Sequence, residues 1–219
     1  PFLQDDFVDG IEQHVEKNGV LSSHILSRTF SFLRSNDLIY RPAIKSYMLG
    51  ETPPAFDLLY WNGDATGLPG KMTVQYLRWL CQQDQFAQSG ITLFGEVLRL
   101  SDVTVPFCAV ACETDHIAAW PDSYRGFSKM GSRSKTFILS QSGHIGGIIN
   151  PPSKKKYGHY TNTDMRLSHN EWQDNAAFHE GSWWSRWESW LRKKSGKLVL
   201  AQQPGSEVFK SLCAAPGTY

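Results

Sequence analysis

The apolar positions of the chain fall into two regimes. Up to about Gly90 they recur at helical spacing. Phe7, Ile11 and Val15 share one face, Lys17 sits in the last turn, and Gly19 is placed to end the helix. A second helix is expected from Ser22 or Ser23 through Phe30 to Leu33, and a third from Asn36 or Asp37 to near Gly50. Pro53-Pro54 then interrupts the chain. Residues 56–61 are aromatic and extended in pattern, and they open into a loop over 62–70. A longer helix is expected from Met72 to about Phe86.

From Ile91 the pattern changes. Residues 91–100 and 105–112 are apolar runs of strand length, divided at Ser101-Asp102. A short helix is expected from Asp122 to Met130, a strand from Thr136 to Ser140, and a last helix from Glu180 to Lys194. That last helix has Ser182 as its N-cap candidate, Lys193 and Lys194 at the end its dipole favours, and Gly196 beyond it. Strand alternating with helix implies a parallel sheet covered by helices, hence an α/β class. The strands are too few for a free-standing doubly wound domain, so the sheet reads as incomplete. The chain divides into a helical region, 1–90, and a sheet-bearing region, 91–219.

Composition narrows this picture modestly. A chain of 219 residues holds one domain, or one with a sizeable insertion. Its hydrophobic fraction of 41% and charged fraction of 20% are those of a folded protein. A net charge of +1 argues for neither nucleic acid nor an anionic membrane as partner. No apolar run approaches the length of a membrane-spanning helix. Cys81, Cys108, Cys112 and Cys213 are scattered, and two cysteines four apart in a strand lie about 13 Å from each other, too far for a disulfide. A reducing cytoplasm is the compartment this implies. The start at Pro1, with neither an initiator Met nor a signal pattern, reads as that of a segment of a longer chain.

Two polar residues follow the last two apolar runs directly. Asp115 comes three residues after Cys112, and His144 comes four after Ser140. Functional groups in open α/β sheets collect at the carboxyl ends of strands. Acid and then histidine is the tail of the order nucleophile, acid, histidine found in α/β-hydrolases. In that chemistry the imidazole takes a proton from the nucleophile, while the carboxylate fixes its tautomer and stabilises the imidazolium. The same residues also fit an ordinary turn aspartate and a strand-end loop. His116, His144 and His159 lie in the same region, but no H-x-x-x-H or C-x-x-C spacing supports a zinc site.

Five ordered blocks carry a resemblance. They are 29–38 (Thr-Phe-Ser-Phe-Leu-Arg-Ser-Asn-Asp-Leu), 56–66 followed by Leu68-Pro69-Gly70, Asp115-His116-Ile117 with Trp120, Ser142-Gly143-His144-Ile145 continuing to Ile149-Asn150-Pro151-Pro152, and Gly181-Ser182-Trp183-Trp184. Together they resemble the polyhydroxyalkanoate synthases, from about Phe7 to about Leu191. The resemblance implies an α/β-hydrolase fold, of which this chain would hold a helical cap (1–90) and the C-terminal half of the core (91–219). It implies an acyltransferase that builds a polyester from 3-hydroxyacyl-CoA thioesters, at cytoplasmic polymer granules. No cofactor is needed, CoA being the leaving group, and a homodimer would form through the cap. The block around Asp115 resembles the family's catalytic aspartate segment, and that around His144 its catalytic histidine segment; by that resemblance His144 would deprotonate the cysteine and Asp115 would assist the attacking 3-hydroxyl, directly or through His144. Trp61 and Asp64 fall near the expected substrate channel, though Trp61 packing and Asp64 closing a turn with Gly63 fit equally, and His116 would orient the acid, line the pocket or serve a structural role.

Two departures stand out. Ala119 replaces a proline common in the family, and no G-x-C-x-G nucleophile elbow occurs around any of the four cysteines. The family's elbow precedes the cap, so the nucleophile is expected upstream of Pro1. An ordinary esterase would share the placement of Asp115 and His144 but not the blocks at 61–70 and 181–184. A non-catalytic, synthase-like chain assisting a complete synthase would also lack the nucleophile. Trp183, Trp187 and Trp190 share one helical face, expected to pack on the sheet, with a polymer- or sugar-binding platform as the alternative. Lys154-Lys155-Lys156 is expected to be a solvated loop, with a point-charge contact to CoA phosphates as the alternative.

Overall fold

A computed structural model describes residues 3–33, 35–53 and 65–214. Two compact units result, one of Pro1–Val105 with Lys129–Arg133 and the other of Pro106–Ser128 with Ser134–Tyr219.

In the first unit, α1 (Asp5–Asn18) begins with Asp5 and Asp6, whose charges suit the positive end of the helix dipole. It ends where Gly19 turns to φ 76° and gives its N–H to the Val15 carbonyl. Val8 and Val15, two turns apart, are its buried residues. The strand β1 (Val20–Leu21) leads into α2 (Ser23–Leu33), and a helical run over 36–48 forms α3. A second short strand, β2 (Leu68–Pro69), pairs antiparallel with β1. Helix α4 (70–82) packs on α1 so closely that a Cβ on Gly70 would stand 2.7 Å from that of Val15. Arg78 of α4 reaches Asp9 at 2.7 Å and Glu12 at 2.5 Å on α1.

The long helix expected to reach Phe86 stops earlier. Asp84 adopts φ 47° and separates α4 from the single turn α5 (Gln85–Gln88). The run 91–100 is likewise a hairpin instead of one strand. Here β3 (Ile91–Leu93) pairs antiparallel with β4 (Glu96–Leu98) across Phe94 at φ 52° and Gly95 at φ 85°. Two positive φ angles form the mirror-image turn whose twist matches the flanking strands.

The second unit holds a four-stranded sheet in the order β5 (Phe107–Cys112), β6 (Lys135–Ser140), β7 (His159–Thr161), β8 (Ala177–His179). The first pair is parallel, in register from Phe107↔Lys135 to Cys112↔Ser140; the other two pairs are antiparallel. The sheet is therefore mixed where an all-parallel one was expected. β7 and β8 have three residues each, too few for periodicity to reveal. Among the described residues β5 is an edge strand.

Helix α6 (Trp120–Lys129) connects β5 to β6 and presents Trp120, Tyr124 and Phe127 from one face. They meet Phe137 and Leu139 of β6, Ala111 of β5, and Trp172 of the short helix α7 (His169–Asp174). The rings pack edge to face, with Tyr124 and Trp172 at 5.0 and 5.2 Å from Phe137. Such pairs add about 1 kcal/mol each beyond the area they bury. The last helix is α8 (Trp184–Arg192). The chain is thus of mixed helix and sheet. Among the described residues no helix is long and apolar enough to cross a membrane.

Candidate active site

The carboxyl ends of β5 and β6 lie side by side because the two strands are parallel and in register up to Cys112↔Ser140. Beyond them the chain stays tied across the gap. The N–H of Glu113 bonds to the Ser140 carbonyl at 2.8 Å, and that of Thr114 to the Ser142 carbonyl at 3.1 Å. Asp115 then closes a tight turn, and its Oδ1 accepts the N–H groups of Ile117 at 2.8 Å and Ala118 at 2.9 Å. This leaves Oδ2 to face His144 Nδ1 at 2.9 Å. Twenty-nine residues of sequence separate the two, and the parallel pairing of their strands removes that distance.

Their surroundings differ. The Asp115 side chain is 7% exposed and that of His144 44%. Burial alone would push the Asp115 carboxyl up. The Ala118 N–H, the His144 hydrogen bond and the Ile117 N–H outweigh it, and the group is held below the ordinary carboxylate range. The ionised acid accepts from Nδ1–H, so Nε2 is the imidazole nitrogen left to receive a proton. Ile117, Ile145 and Ile149, which flank the pair in sequence, are exposed and give this surface an apolar character.

The histidine loop is held from several sides. Ser142, just before Gly143-His144, takes φ 77°, a left-handed conformation uncommon for a residue with a side chain. The Gly147 carbonyl accepts from Ser140 Oγ and Trp183 Nε1, each at 2.9 Å, and the Ile148 carbonyl accepts from Trp184 Nε1 at 2.9 Å. Gly147 needs to be glycine, because a Cβ there would lie 2.5 Å from Cys112 Sγ.

The tryptophans at the start of α8 thus anchor the histidine loop. The expected stripe on the sheet is not what forms: no residue of α8 is buried, and Trp187 is 41% exposed. Their indole N–H groups add a second donor to each loop carbonyl, beside Ser140 Oγ on Gly147 and the Asn150 N–H on Ile148. Periodicity gave no sign of this; the block 181–184 was the only pointer. Helix α7 was also missed, although Ser168-His169-Asn170-Glu171 carries a capping-box signature, and that box is formed.

The remaining candidates are dispersed. His116 is exposed beside Asp115, whose oxygens are taken up by Ile117, Ala118 and His144. Trp61 and Asp64 lie outside the described residues. His159 hydrogen-bonds to other groups, with Nδ1 on the Gly181 carbonyl and Nε2 facing Arg186. Among the described residues no three His, Cys, Asp or Glu side chains gather to hold a metal ion. All four cysteines are free thiols, and none hydrogen-bonds to His144 among the described residues. Cys112 stands nearest in sequence, but burial and the Asp115 charge push its thiol up to about 11.

Comparison with known proteins places this geometry in context. No family model matches the chain. It is 39% identical over 196 residues to the poly(3-hydroxyalkanoate) polymerase subunit PhaC of Cupriavidus necator, covering 89% of this chain and 33% of that protein. It is 36% identical over 219 residues to the poly(3-hydroxyalkanoate) polymerase of Methylorubrum extorquens, covering 100% of the chain and 36% of that protein. The PhaC subunit of Rhizobium etli is 32% identical over 218 residues, covering 34% of its length. The chain spans about a third of the length of the relatives it matches. A likeness that runs through the whole chain, including both strand-end loops of the Asp115–His144 pair, places it in the poly(3-hydroxyalkanoate) polymerase family.

Proposed function

We propose that this chain is the part of a poly(3-hydroxyalkanoate) polymerase that carries the catalytic histidine and its orienting acid. The observation that carries the reading is the 2.9 Å bond between Asp115 and His144 Nδ1 at the adjacent ends of two parallel strands. In this reading residues 91–219 are the C-terminal half of an α/β-hydrolase core and residues 1–90 its helical cap. The nucleophile is a cysteine supplied from outside these 219 residues. The high thiol of Cys112 and the lack of a G-x-C-x-G elbow support that placement.

His144 Nε2 takes the proton of the cysteine thiol, and the thiolate attacks the carbonyl of a 3-hydroxyacyl-CoA. The C–S bond to CoA breaks, and the departing thiolate takes the proton back from Nε2. The 3-hydroxyl of the next unit then gives its proton to Nε2 and attacks the acyl-cysteine thioester. An ester forms, and the cysteine sulfur leaves. Both Asp115 oxygens are already engaged, which supports its acting through His144 in both steps, as tautomer holder and counter-charge. The reaction needs no organic or metal cofactor. Trp61, Asp64 and His116 are assigned to the substrate side, and the cap to a homodimer contact. The site of action is the cytoplasmic polymer granule.

The test is single-turnover release of CoA from 3-hydroxybutyryl-CoA by the complete polymerase carrying this chain. His144→Gln should remove the burst, because the cysteine loses its base and remains a thiol near neutral pH. A normal burst from that variant would overturn the assignment.

A further inference from the structure

A second polar cluster lies in the same unit, apart from the Asp115–His144 pair. A groove of about 750 Å³ is lined by Lys155, His159, Glu180, Ser182, Ser185 and Arg186, among others. Arg78, Arg125, Arg166 and Arg192 each pair with a carboxylate, but Arg186 pairs with none among the described residues. Its Nε donates to His159 Nε2 at 3.2 Å, and its Nη2 meets His179 Nε2 at 3.1 Å. A guanidinium has only donors, so both imidazole nitrogens must be acceptors and both rings neutral. The second ring nitrogen of His159 donates to the Gly181 carbonyl at 3.0 Å, and Thr161 Oγ1 stands 2.9 Å from His179 Nε2. The two rings stack with centroids 5.1 Å apart.

The arrangement fixes an arginine in place without neutralising it. Burial, and after it the Arg186 charge, keep both imidazoles below the usual histidine range, so the neutral state persists at physiological pH. The guanidinium keeps its full charge and its remaining N–H donors. Lys155, held at φ 47°, adds a second cation on the groove, and the Ser182 and Ser185 hydroxyls add donors. Glu180 is the opposing charge on the same wall.

We propose that this groove binds a phosphate monoester, with Arg186 as the forked donor and Lys155 as the second charge. A fork of N–H donors on a pre-oriented guanidinium suits two phosphate oxygens at once, and the lysine serves as a point charge. The phosphate can be carried by a nucleotide-like cofactor or be free in solution. Its identification as the 3′-phosphate of CoA rests on the polymerase reading given above.

Calorimetric titration of the chain separates these sources, with inorganic phosphate, CoA and 3′-dephospho-CoA as probes. Inorganic phosphate should bind, and Arg186→Gln should weaken it by about tenfold or more. Arg186→Lys should recover only part of the loss, because the fork is gone. Two variants that leave the imidazole cluster intact guard against misfolding. Lys155→Asn, which tolerates the left-handed backbone, should weaken phosphate, and Glu180→Gln should strengthen it. CoA binding tighter than 3′-dephospho-CoA, with the difference lost in Arg186→Gln, supports the CoA assignment. Equal affinity for the two, with phosphate binding still dependent on Arg186, overturns that assignment and upholds the phosphate site. No phosphate binding, or binding indifferent to Arg186, Lys155 and Glu180, overturns the site itself. Binding is read without turnover, so either failure leaves the Asp115–His144 assignment untouched.

Discussion

Trp183 donates its indole N–H to the Gly147 carbonyl over 2.9 Å, tying the segment that starts the last helix to the loop that carries His144. Ser140 reaches the same oxygen from the end of β6, also at 2.9 Å. The position of the imidazole thus depends on a residue 39 positions further along the chain.

Trp183→Phe keeps most of the ring but deletes this donor. The Gly147 carbonyl retains Ser140, so the cost should be close to that of one hydrogen bond, about 1 kcal/mol. A urea melt should show that loss with an unchanged slope. In the complete polymerase kcat should fall several-fold while KM for the acyl-CoA holds, as expected of a residue that positions the base. Wild-type kcat in a correctly folded Trp183→Phe protein would show that the loop is held well enough without it.

Asp115→Asn turns on which oxygen does what. Oδ1 accepts two backbone N–H groups and must remain an oxygen, so the new amide nitrogen will face His144 Nδ1. Nδ1 then becomes an acceptor, the ring proton moves to Nε2, and the histidine is a base with its working nitrogen occupied. Both CoA release and elongation should fall, by about 10²–10⁴-fold. A normal CoA burst followed by failed elongation would instead mean that Asp115 acts on the 3-hydroxyl by itself.

The same hydrogen bonds give an acid dependence of stability. The Asp115 carboxyl is held below its ordinary range in the fold, so the unfolded chain takes up its proton first as the pH drops. The contribution is fully present above about pH 4–5 and is lost as the pH falls through the carboxylate range. Urea unfolding at pH 7 and pH 3 should therefore show a larger acid loss for the native sequence than for Asp115→Asn. Equal losses would mean that the carboxylate gains nothing from its partners.

Thiol labelling tests the claim that no cysteine of this chain is the nucleophile. With its thiol near 11, Cys112 is about a thousandth ionised at pH 8, and it is only 1% exposed. Cys213 is exposed. An aromatic disulfide reagent should modify Cys213 quickly in the native protein and leave Cys112 untouched until unfolding. Rapid labelling of Cys112, blocked by acyl-CoA, would reopen it as the acyl carrier.

The sequence by itself determined the parts of this protein that depend on local chemistry. The C-terminal end of α1 was legible because a glycine tolerates the left-handed cap cheaply. The cores of β5 and β6 were legible because each is a continuous apolar run of strand length, and Asp115 and His144 stood out as the polar residues following them. Tertiary structure decided the rest. The apolar run 91–100 has no unbroken strand because Phe94-Gly95 folds it back on itself, and an apolar pattern cannot tell one strand from two. The three-residue strand β7 exists only because the edge of β6 is there to pair with it, and β8 only because β7 then offers an edge in turn. The 2.9 Å contact between Asp115 and His144 follows from parallel register across 29 residues, and the bond from Trp183 to the Gly147 carbonyl from the approach of the last helix to the histidine loop. Spacing along a chain shows where polar groups leave the strands. Which of those groups meet is settled by long-range pairing, since each buried backbone group takes the partner that the assembled fold brings to it.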